Sequence, residues 1–86
     1  MTVQKNDLHG LEEYLSSLKI EKPDIDELEE ALKSDPPPTN AKKFGEKVSD
    51  WIGKMMGKAA YGGWDISVAV AGQLLAEAIS SYYGIK

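Results

Sequence analysis

The 86-residue chain has no cysteine and no arginine, one histidine (His9) and one phenylalanine (Phe44). Without cysteine, disulfides and thiolate metal sites are excluded, and the redox compartment is left open. Without arginine, the bidentate fork that reads guanine or grips phosphate is missing. His9 is the one group able to move a proton near neutral pH, and no serine stands beside it in a nucleophile motif. Proline is confined to Pro23 and the run 36–38. No apolar run approaches the roughly 20 residues a bilayer demands. The first ten residues are polar, with no apolar core of a leader and no lipidation signature, so the expected compartment is the cytoplasm.

What is present is acid, glycine and small apolar residues. The net charge is −4, and it is unevenly divided: residues 1–38 hold four of the ten lysines and ten of the fourteen carboxylates. A chain of this length makes one small domain with a modest stability margin. The expected organisation is a single helical domain over 1–86, in which an acidic helix pair and a proline-rich spacer (1–38) precede glycine- and alanine-rich long helices (39–86).

The spacing of Leu8, Leu11, Leu15 and Leu18 predicts an amphipathic first helix capped by Asn6 or Asp7, with Gly10 moving its expected start toward Leu11. Asp24, with Glu27 three residues on, reads as a capping box for a second helix whose inner face is Ile25, Leu28, Ala31 and Leu32. The two form a short antiparallel pair. Asp35 and the three prolines then stop the chain and hold it extended as a stiff linker; a PxxP reader is the weaker alternative, because no arginine flanks the run.

Thr39 or Asn40 is the expected cap of a third helix over about 41–60, with Phe44, Val48, Trp51, Ile52, Met55 and Ala59 on its apolar side. Gly62 and Gly63 break it, Asp65 caps, and a fourth helix is predicted over about 66–83, ending at Gly84. Residues 66–79 carry only Ser67, Gln73 and Glu77 as polar side chains, so the apolar arc is wider than a surface helix shows and needs cover on several sides. The two long helices are expected to fold back as a hairpin with Trp51 and Trp64 in its core; one bent helix through the glycine pair is the competing picture. Either way, a single copy is expected to lack enough surface to cover the fourth helix.

Two columns of small residues recur at every fourth position: Gly45, Ser49, Gly53 and Gly57, then Gly72, Ala76, Ser80 and Gly84. Mid-helix glycine costs about 1 kcal/mol against alanine, so such columns ask for a close neighbour. Lys43, Lys47, Lys54 and Lys58 fall along one side of the third helix and offer an anion-contacting stripe, with Asp50 between them. The acidic cluster around Asp24, Asp26, Glu27, Glu29 and Glu30 lacks calcium-loop spacing, and no glycine-rich phosphate loop is present. No catalytic, cofactor or metal residue can be named.

The run Trp51, Ile52, Gly53, Lys54, Met55, Lys58, Ala59 and Ala60, followed by Tyr82, Tyr83 and Gly84, resembles the C-terminal region of bacterial abortive-infection proteins of the AbiTii type. The resemblance covers about residues 11–86. It implies a phage-defence setting and names no catalytic residue. Such proteins carry a larger N-terminal region, which leaves an accessory domain and a free-standing small relative as the two readings. The expectation is therefore an all-α, non-enzymatic module. Gly53, Gly57, Gly72 and Ala76 provide close helix contact and Trp51, Trp64, Leu74, Leu75 and Ile79 provide buried area, toward a second copy or a partner protein. A membrane-active hairpin and a weak nucleic-acid binder using the lysines are the alternatives.

Overall fold

Four helices make up the regular structure of the computed structural model, which describes residues 3–35 and 44–84: α1 (Leu8–Ser17), α2 (Lys22–Ser34), α3 (Glu46–Tyr61) and α4 (Val68–Tyr83). The fold is all-α, with no strand among the described residues. The proline run 36–38, Thr39, Asn40 and Lys43 lie outside the described residues.

The first helix starts behind one of its expected caps, and the other three starts differ from their expected positions. α1 begins at Leu8 with the expected Asp7 as its cap, the carboxylate accepting from the Gly10 amide at 3.0 Å, and Gly10 does not delay the start toward Leu11. α2 begins at Lys22 behind Glu21, with Pro23 in its first turn; Asp24 is not its cap but a buried residue inside it. α4 is capped by Ser67, whose hydroxyl accepts from the Val70 amide at 3.4 Å, and not by Asp65. The expected stops hold: Gly62 (φ 83°) ends α3 and Gly84 (φ 75°) ends α4, both left-handed.

α3 begins at Glu46, five residues later than expected, and its cap comes from another element. Gly45 occupies the cap position without a side chain, and the Asp35 carboxylate accepts from the Val48 amide at 2.8 Å. A Cβ on Gly45 would come within 2.5 Å of that carboxylate, so glycine leaves the room the borrowed cap requires.

Pairwise contacts fix the topology. Phe44, just ahead of α3, stacks on Tyr83 at the end of α4 with ring centroids 6.3 Å apart, so α3 and α4 form an antiparallel hairpin rather than one bent helix. Asp24 meets Lys58 at one end of the α2–α3 pair, and Asp35 meets Val48 at the other. The Asn6 amide donates to Tyr82 O (2.8 Å) and the Trp64 indole to Leu18 O (2.8 Å), which closes α4 on α1. Each helix thus runs antiparallel to both neighbours in an up-down-up-down ring, and the diagonal pairs make no close backbone approach. The radius of gyration, 11.7 Å, matches the roughly 12 Å expected of one compact 86-residue domain.

One core joins the acidic pair to the long hairpin. Leu11 and Leu15 of α1, Leu28 of α2, Val48 and Met55 of α3, and Leu75 and Ile79 of α4 are all at most 1% exposed. At about 1.5–3 kcal/mol for each such side chain, this shared core is the main stabilising element. α4 is therefore covered along its inner side by its own chain. Its outer side, with Ala69, Val70 and Gln73, stays exposed.

Candidate functional site

The lysines of α3 do not form a free anion-contacting stripe. Asp24, only 4% exposed, faces α3 from the first turn of α2. Its Oδ2 lies 2.5 Å from Lys58 Nζ and its Oδ1 3.4 Å from Lys54 Nζ, while Lys54 also reaches Glu27 at 2.5 Å. Burial pushes the Asp24 carboxyl up, but Lys58 and then Lys54 outweigh it and hold it below its ordinary range. Glu27 in turn raises Lys54. The partners of these lysines are α2 carboxylates and not Asp50. The Trp51 indole, 4% exposed, adds a hydrogen bond to Asp24 O at 2.7 Å.

Lys47 lines an open cleft of about 330 Å³ between α2 and α3, with Glu27, Glu30, Asp50 and Lys54 on its walls and Trp51 in its floor. Both charge signs line it, and the Trp51 N–H is spent inward. His9 is exposed on α1 and lies 3.0 Å from Glu13. Among the described residues no group of three His, Cys, Asp or Glu is placed to hold a metal ion.

The two small-residue columns have different surroundings. A Cβ on Gly72 would lie 3.3 Å from Met56 Cε, so this glycine admits an α3 side chain into the hairpin seam. Ala76 is half-buried and Ser80 buried. Gly53 and Gly57, by contrast, have no atom within 4 Å of where a Cβ would stand, so they give no close contact within this chain. Trp64, Leu75 and Ile79 are buried, and Leu74 is half-buried.

An apolar end was not singled out in the sequence. Where Gly62 to Ser67 close the hairpin, Tyr61 is 92% exposed, Val70 46% and Val68 38%, with Ala60 and Ala69 exposed beside them. The signal was available in the periodicity: Val70 lies off the inner stripe of α4, and Tyr61 follows the last inward residue of α3, Ala59. Gly53 and Gly57 stand two turns and one turn before Tyr61 on α3, so their open side leads to the exposed tyrosine at this end.

Comparison with protein-family models, with curated proteins and with solved structures returned no match.

Proposed function

We propose that the chain is a non-enzymatic helical interaction module that docks through the outer face of the α3–α4 hairpin. The observation that carries this reading is the open pair Gly53 and Gly57: two mid-helix glycines with nothing of their own chain to accommodate, in a column of α3 that ends at the exposed Tyr61. A docked helix or loop gives such glycines a use, because it can approach the α3 backbone there. Tyrosine is a frequent interface anchor.

The rival readings have less support. Lys54 and Lys58 are paired with carboxylates, which weakens the anion-binding reading. No described helix is long and apolar enough to cross a membrane. The setting we propose is phage defence, on the resemblance of the Trp51–Ala60 run and the Tyr-Tyr-Gly tail, with the module positioning an effector.

A photo-crosslinking amino acid at position 57, in cells expressing the chain, is expected to give a discrete adduct. The same probe at position 26, on the acidic face of α2, is expected to give none. Absence of an adduct at 57, or equal diffuse labelling at both positions, contradicts the docking face.

A further inference from the structure

Resting on that reading, we infer that the occupant of the closed-end half of this face is a second copy of the chain, related by a two-fold axis. In a two-fold contact a patch meets itself, so any net charge it carries is set against an equal charge of the same sign. The acidic surplus of the molecule lies elsewhere: Glu12 and Glu13 on α1 and Asp26, Glu27, Glu29 and Glu30 on α2. Through those faces two copies repel.

The closed end is balanced. The Trp64 indole bonds to Leu18 O, which brings the α1–α2 connection to the same end as the α3–α4 turn. The ionised residues of the two connections and the first residue of α2 are Lys19 and Lys22 against Glu21 and Asp65, two of each sign. Next to them Asp24 and Glu27 of α2 are paired with Lys58 and Lys54 of α3. Lys19, Lys22, Glu21 and Asp65 are exposed, so each copy offers both signs at the rim and can pair with its opposite across the axis. Within that rim Tyr61, Val68 and Val70 are the exposed large apolar side chains of the described residues, and a self-contact covers all three in both copies. An anionic membrane would meet the same rim with the carboxylates of Glu21 and Asp65 facing its headgroups, and the whole chain with a charge of −4.

Sedimentation equilibrium of the full chain over a concentration series tests this. The wild type is expected to rise from 9.4 kDa to a plateau at twice that mass. Tyr61→Asp/Val70→Asp is expected to stay monomeric with the helicity and melting curve of the dilute wild type, since both side chains are exposed. A wild type that remains monomeric throughout overturns the second copy, and flotation of that monomer with anionic liposomes would assign the patch to membrane instead. A mass that climbs past two copies without a plateau, or a double variant that associates like the wild type, also overturns it. These outcomes leave the docking face standing, because that face falls on the crosslinking at position 57.

Discussion

Asp24 occupies the third position of α2, is 4% exposed, accepts from Lys58 and pairs with Lys54 of α3. Removing it leaves Lys54 and Lys58 half-exposed and able to reach water, so the cost is that of charge-assisted hydrogen bonds rather than of a stranded buried charge. Asp24→Asn is expected to lower stability by about 1.5–3 kcal/mol at neutral pH, read from chemical denaturation. Its folded-state carboxyl lies below the ordinary value of 3.8. The stabilisation it provides is therefore complete above that value and lost as pH falls through the lower folded one. The wild type is expected to lose stability steeply below pH 3.8, and Asp24→Asn to lose much less; parallel acid limbs in the two proteins would contradict the assignment. Lys19 is a second informative residue. It sits at φ 67° just after α1, where its amide bonds to Ser16 O and that of Ile20 to Leu15 O, the pattern of a left-handed helix stop. Lys19→Gly relieves a conformation that costs an L-residue about 1 kcal/mol and is expected to raise the melting temperature; an unchanged or lower value would contradict it.

At the level of the elements, the two glycine columns separate packing from docking. Gly72→Leu drives a side chain into Met56 and is expected to cost about 1–3 kcal/mol by overpacking the α3–α4 seam. Gly53→Leu enters open space and is expected to leave the melting curve at or above that of the wild type, since leucine favours the helix more than glycine does. Equal losses in both variants would refute the different roles given to the columns. The α1–α2 contact carries a cost of its own: Glu12 beside Glu29 raises the Glu29 carboxyl above its ordinary 4.5. A raised acid takes up its proton more readily in the fold, so this contact gains stability as pH falls through the folded value. Glu29→Gln is expected to add about 0.2–1 kcal/mol at pH 7 and to remove that gain; denaturation curves taken from pH 7 down to the ordinary 4.5 check both. The sequence made the helix stops legible because glycine at Gly62 and Gly84 acts locally. It hid the start of α3, whose cap is a carboxylate ten residues before Gly45, and it made Asp24 resemble a cap because the same residue type suits a helix start and a buried ion pair.

For the whole molecule, the four-helix count and the antiparallel hairpin could be read from periodicity and from the paired glycines. Closure of the ring could not. It depends on two indole donors, Trp51 to Asp24 O and Trp64 to Leu18 O, whose targets lie 27 and 46 residues away in the chain. The same closure covers α4 along its inner side and leaves Tyr61, Val68 and Val70 exposed at the closed end, where we propose that a second copy docks. Backbone and methyl NMR spectra of the full chain, recorded from dilute to concentrated solution, test that claim most directly. Resonances of Gly57, Ala60, Tyr61, Val68 and Val70 are expected to shift together with concentration while those of Asp26, Glu29 and Glu30 stay fixed. Shifts confined to the acidic face of α2, or no concentration dependence at the closed end, would contradict it.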